Sequence, residues 1–273
     1  MTADRLDPEA RAELHTLPRD LADVVARHLV AAGLLENAEV AYLHAKEARR
    51  LAARVGVVRE AVGIAAYRAG AWAEALAELR AARRLTGRNT SLAMMADSER
   101  ALGRLDRALA IVQSPEAREL DRAGQIELKI VESGIRRDEG MPDAGVVVLQ
   151  VPELTSNRVH PWSARLAYAY ADALLDAGRT DEARNWFGRA ATIDHAGETD
   201  ANDRFDELEG ISIDDLDDLT DEDLADDELV DDELTAGELD LAEDEPAEDE
   251  IPDPDDVTVA DAAAAGGPPA AAE

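Results

Sequence analysis

Five glycines, Gly33, Gly70, Gly103, Gly140 and Gly178, recur at spacings of 37, 33, 37 and 38 residues. Around two of them the local grammar is plain. Tyr67-Arg68-Ala69-Gly70-Ala71-Trp72-Ala73-Glu74-Ala75 and Asp176-Ala177-Gly178-Arg179-Thr180-Asp181-Glu182-Ala183 each read as a helix end, a tight turn and a second helix start. Glycine tolerates the left-handed conformation that terminates a helix. Five residues after each glycine stand Ala38, Ala75, Ala108, Gly145 and Ala183, and seven before each stand Ala26, Gly63, Ala96, Ser133 and Ala171. Nine after come Tyr42, Leu79, Val112, Leu149 and Phe187, and twelve after come Ala45, Ala82, Pro115, Pro152 and Ala190. Small residues thus recur where two helices must approach, and large ones where a gap must be filled.

A lone helical hairpin cannot bury its apolar face, whereas stacked hairpins bury a continuous core. The pattern of small residue, turn glycine, alanine, large apolar residue and then Ala or Pro is similar to the tetratricopeptide repeat, over residues 19–195. The best copies run from Val62 to Ala82 and from Tyr170 to Ala190, and the fourth, with Pro142 and Gly145, is the weakest. The family unit is about 34 residues, so the longer spacings imply insertions between hairpins. The resemblance implies an all-α fold: a superhelical array of about five TPR-like helical hairpins over 19–197. A polar lead-in, 1–18, precedes it, with Asp7 and Pro8 starting a short helix. In the last repeat Thr180 is the expected N-cap, and His160-Pro161-Trp162 the entry.

Charge divides the chain. Residues 198–273 hold 32 acidic residues against Arg204 alone, whereas the whole chain carries a net −33, so 1–197 carries only −2. The acidic segment has Leu219, Leu224, Leu229, Leu234 and Leu239 at five-residue steps. Such a step winds around a helix without making a stripe, and like charges this dense repel, so 198–273 reads as a disordered acidic tail. Alternating acidic and apolar residues suit docking on a basic partner. With no cysteine, disulfides, thiolate metal sites and a Cys nucleophile are excluded, and a reducing cytoplasm is the expected compartment. No signal-peptide h-region is visible at the N-terminus, and the run Val146–Leu149 is far too short to span a bilayer. The preference for Arg over Lys reads as high-GC genome composition.

No phosphate loop, dinucleotide fingerprint or nucleophile elbow occurs. The five histidines, His15, His28, His44, His160 and His195, make no metalloprotease pair, and the acidic runs lack the spacing of a Ca²⁺ loop. The expectation is a non-catalytic chain with no cofactor, no metal and no membrane contact. Trp72, Trp162 and Trp186 read as core fillers, with Trp162 the one candidate for an exposed anchor.

In tetratricopeptide arrays the first helix of each hairpin lines a groove. Projecting that pattern makes Arg27, Asp97, Arg100, Arg137, Arg165, Tyr168 and Asp172 the candidate protein-binding residues. The Lys/Asn clamp that some relatives use for chaperone tails is absent; Asp23, Arg27, Glu60 and Ile64 stand there instead. The expected role is a protein–protein interaction scaffold whose tail modulates binding or solubility. The tail could contact the body intramolecularly, on the arginines between Arg49 and Arg88, and then its deletion should strengthen binding of an acidic partner. The alternative is a regulator or chaperone of basic, nucleic-acid-binding proteins, with the tail as a nucleic-acid mimic. Direct nucleic-acid binding is disfavoured by the chain's own negative field.

Overall fold

A computed structural model describes residues 2–210, and every regular element among them is helical. A short turn of 3-10 helix at Ala3–Arg5 leads into α1 (Pro8–Glu13). Five hairpins follow: α2 (Arg19–Leu34) with α3 (Ala38–Ala52), α4 (Gly56–Arg68) with α5 (Trp72–Thr86), and α6 (Leu92–Ala101) with α7 (Leu105–Val112). After the single turn α8 (Pro115–Arg118) come α9 (Arg122–Asp138) with α10 (Pro142–Leu149), and then α11 (Ser163–Asp176) with α12 (Thr180–Ile193). A further helix, α13 (Ala201–Glu209), packs on α12. The expected acidic tail therefore begins with folded chain. Ala201 is buried and Phe205 packs on the aromatic core of the last hairpin. The leucine series 219–239 and the rest of 211–273 lie outside the described residues.

Four of the five turns share one construction. At Gly70, Gly103, Gly140 and Gly178 φ lies between 70° and 78°. The amide of the following residue reaches back five positions, Ala71 to Ala66, Arg104 to Glu99, Met141 to Arg136 and Arg179 to Leu174, at 2.8–2.9 Å. This is the double-bonded helix end that a left-handed glycine permits. That following residue then takes ψ of 59–65° and opens the second helix. Thr180 is accordingly the first helical residue and not the cap; Arg179 holds the cap position without a side-chain capping bond.

The first turn is built differently, which corrects the register of the first repeat. Gly33 lies inside α2 with no positive φ. The chain turns at Leu35–Asn37, where the Asn37 side chain accepts from the Val40 amide at 2.9 Å. Asn37 thus occupies the place of Ala71 and Arg104, and the first hairpin is displaced by three residues. In that register Ala41, Ala45 and Ala48 stand where Ala75, Leu79 and Ala82 stand in the second copy, and all are buried. The unit between the first two turns is then 34 residues. The insertions of the later copies are α8 and a 3-10 turn at Pro152–Thr155, both lying between hairpins.

Small residues permit the close crossings. A Cβ on Gly63 would lie 2.5 Å from Leu79 Cδ2, and one on Gly145 would lie 3.0 Å from the Ser133 carbonyl oxygen. Alanine at the fourth copy's fifth position would therefore press on the backbone of α9. Pro142 sits in the first turn of α10, where its missing N–H has no helical partner to lose. The apolar core is distributed as successive clusters, around Val25 and Leu29, around Leu79 and Met95, and around Leu149 and Phe187. First helices touch in sequence, α2 to α4, α4 to α6, α6 to α9 and α9 to α11. Each second helix packs on the next hairpin's first. The lead-in is tied in as well: Asp7 caps α1 through the Glu9 and Ala10 amides. The Glu13 carboxylate accepts from the Val57 amide at 2.8 Å and from Arg88 at 2.7 Å.

Candidate functional site

A cleft of about 740 Å³ opens on the first helices α6, α9 and α11. Its walls come from a few repeat positions. Arg100 and Arg137 stand three residues before their turn glycines, and Gly134 and Asp172 six before. Ile130 and Tyr168 stand ten before, and Arg165 thirteen before. Successive turns of a helix bring these spacings to one face. The opposite wall is the segment 197–200 with Asp203, which leads into α13.

Five of the candidate residues, Arg100, Arg137, Arg165, Tyr168 and Asp172, line this cleft, and Asp97 adjoins it by accepting from Arg100 at 2.9 Å. Arg27 is the exception: it is exposed on α2, and its Nε donates to the Asp23 carbonyl at 3.2 Å. The shifted first repeat is the reason. Its equivalent position is Val30, which is buried. Sequence reasoning missed Ile130 and Gly134, which carry no charge to flag them, and the wall at 197–203, which has no repeat to announce it.

The cleft arginines also join the repeats. Arg100 reaches Asp138 on α9 at 2.7 Å, and Arg137 reaches Asp172 and Asp176 on α11 at 2.6 Å each. Arg165 pairs with Glu127 on α9 and with Glu198 at 3.2 Å. Upstream, the Tyr67 hydroxyl donates to Asp97 at 2.5 Å, and Tyr42 donates to Glu74. A polar ladder thus runs from each first helix to the next between α4 and α11. Burial opposes the charge on Arg100, but Asp138 and Asp97 outweigh it and hold its pKa above the ordinary value. The space over Gly134 is what admits this guanidinium, since a Cβ there would lie 2.7 Å from Arg100 Cζ.

Tyr168 supplies the aromatic face. Its ring meets Phe187 edge-on at 5.3 Å. Burial, and then the Asp200 carboxylate, push its hydroxyl up to about 12. The wall at 197–200 is shaped by Asp194, whose carboxylate accepts from the Thr199 hydroxyl and amide at 2.7 Å and from the Glu198 amide at 2.9 Å. These bonds, the Thr199 hydroxyl foremost, hold Asp194 below the usual carboxylate range.

Elsewhere the arginines expected to offer a basic face are largely committed. Arg49 and Arg59 share Glu78, Arg80 bonds the fully buried Glu99, Arg83 bonds Glu116, Arg88 bonds Glu13 and Glu60, and Arg50 bonds Glu47. The tryptophans sort differently from the expectation of an exposed anchor: Trp162 is only 6% exposed, and it stacks on His160 at 4.7 Å. Trp72 and Trp186 are half-buried, each edge-on to a tyrosine. Among the described residues no cluster of three or more His, Asp or Glu could hold a metal ion, and no helix is long and apolar enough to cross a membrane. No protein-family model matches the chain, and no curated protein matches it significantly.

Proposed function

We propose that the chain is a non-catalytic, tetratricopeptide-type scaffold that binds other polypeptides along the first helices of its stacked hairpins. The observation that carries this reading is the cleft over α6, α9 and α11, built from the same positions of successive repeats. Supporting it are five hairpins, four with one turn construction, whose first helices touch in sequence. The ladder of Arg–carboxylate bonds fixes the spacing of those helices, so the cleft is largely preformed, and a preformed site loses less entropy on binding. The cytoplasm is the proposed compartment, and the acidic segment modulates binding or solubility.

A second reading, a regulator or chaperone of basic proteins, is favoured by one observation: residues 211–273 contain 26 acidic residues and no Lys, Arg or His. The two separate in a binding assay on the full chain, the chain ended at Gly210 and the segment 211–273 alone. A partner held by the chain ended at Gly210, and lost on Arg137→Ala, supports the scaffold. A partner held by 211–273 alone, with steep salt dependence, supports the second reading and overturns the first.

A further inference from the structure

The chemistry of the occupant can be read from the charges that are left over. Each cleft arginine already holds two carboxylates: Arg100 holds Asp97 and Asp138, Arg137 holds Asp172 and Asp176, and Arg165 holds Glu127 and Glu198. No guanidinium is spare for an anionic ligand. Asp200 and Asp203 line the same cleft without an ion pair among the described residues, and no basic residue exists in 211–273 to supply one. The half-buried ring of Tyr168 lines the same cleft, with Ile130 and Ala169 as its apolar lining.

We infer that this cleft receives a cationic side chain, Arg or Lys, of an extended partner polypeptide. Asp200 and Asp203 meet its charge, and Tyr168 and Ile130 cover its aliphatic stem. A cation beside both an aromatic ring and carboxylates that hold no other cation is held by the ring quadrupole and by charge together, with Asp200 also bonded by the Tyr168 hydroxyl. An acidic peptide would instead have to break the Arg–carboxylate ladder or remain unpaired, and like charges set against each other cost several kcal/mol, which excludes it. The inference rests on the scaffold reading and adds the partner's charge to it. The cleft is set apart from the acidic segment as a binder of cations because it combines charge with an apolar lining.

The test uses the full chain and three fluorescein-labelled peptides of equal length on one Ala/Ser backbone, carrying Arg/Lys, Glu or no charge. Binding is read by fluorescence anisotropy at physiological salt. Asp200→Asn with Asp203→Asn removes the two charges while keeping a residue able to cap α13. Asp231→Asn with Asp232→Asn removes the same charge from the acidic segment. The expected result is preference for the Arg/Lys peptide, weakened about tenfold by the cleft pair, as loss of one charge-assisted contact implies, and less than twofold by the distal pair. Equal weakening by both pairs overturns the inference, because binding would then follow total charge alone. Tighter binding of the Glu or uncharged peptide, lost on Tyr168→Ala, also overturns it but leaves the scaffold standing. Binding of none of the three overturns the inference and removes support from the scaffold as well. Circular dichroism of each variant confirms that the helices are retained.

Discussion

Two glycines that look alike in the sequence carry opposite demands. Gly140 holds φ at +78°, with nothing within 4 Å of where a side chain would start, so its requirement is conformational and not steric. Gly33 also has open space around it, yet it is helical, one residue from the end of α2. Alanine at a left-handed position costs about 1–2 kcal/mol. Alanine in place of an unstrained glycine gains roughly 0.4–1 kcal/mol by restricting the unfolded chain. Gly140→Ala should therefore lower the midpoint of thermal unfolding, and Gly33→Ala should raise it. Equal lowering by both would mean that Gly33 is a turn glycine after all. The sequence made the two equivalent because both keep the same spacing, Gly33 37 residues before Gly70 and Gly140 37 after Gly103, and a glycine can stand at a helix end or inside a helix. Only the Asn37 side-chain bond to the Val40 amide decides between them.

At the scale of the element, the first hairpin has a bond the other four lack. His28 on α2 and His44 on α3 bring their Nδ1 atoms to 3.1 Å, so one must carry the hydrogen and the other accept it. Full protonation of both rings removes the acceptor and sets two cations against each other. Burial, and then His44, hold the His28 pKa below its ordinary 6.5, with Arg27 acting in the same direction and Glu47 against it. Between the lowered value and 6.5 the unfolded chain binds more protons than the folded one, so stability is full above about pH 6.5 and declines as pH falls from there. Amide-exchange protection factors of α2 and α3 should drop between pH 7.5 and 5.5 relative to those of α11 and α12, and the difference should shrink in His44→Gln. Uniform protection loss along the chain would refute a local origin. Both histidines fall within the first repeat, but a register wrong by three residues hid the fact that they face each other. The groove residues were legible for the opposite reason. Arg100, Arg137 and Asp172 keep fixed offsets from glycines that do form turns, and those offsets survive any insertion placed between hairpins.

For the molecule as a whole, the composition boundary and the folding boundary differ. Acidic residues become dense from Glu198, yet the chain folds on through α13, because a stacked array needs a last face that is apolar on one side and polar on the other. The nine residues of α13 meet that need. Ala201 and Phe205 turn inward, with Phe205 against Gly188, where a Cβ would lie 3.0 Å from the ring. Asp203, Asp206, Glu207 and Glu209 supply charge to the rest of the helix. Arg204 lies over the Phe187 ring at 5.3 Å and Arg184 bonds Glu209 at 3.2 Å, so even the helix's basic contacts tie it to α12. A reading by net charge alone could not see this, since one phenylalanine and one arginine among so many carboxylates barely alter the count. A chain ended at Gly197 would leave part of the Phe187, Trp186 and Ala190 face open and would lose the Phe205 contact, about 2 kcal/mol of apolar burial. Its unfolding midpoint should fall about 4–8 °C below that of a chain ended at Gly210. It should also lose the wall that carries Asp200 and Asp203, and with it the preference for the Arg/Lys peptide. Equal midpoints for the two truncated chains would show that α13 is not part of the stack, and the cleft would then have to be assigned to the first helices alone.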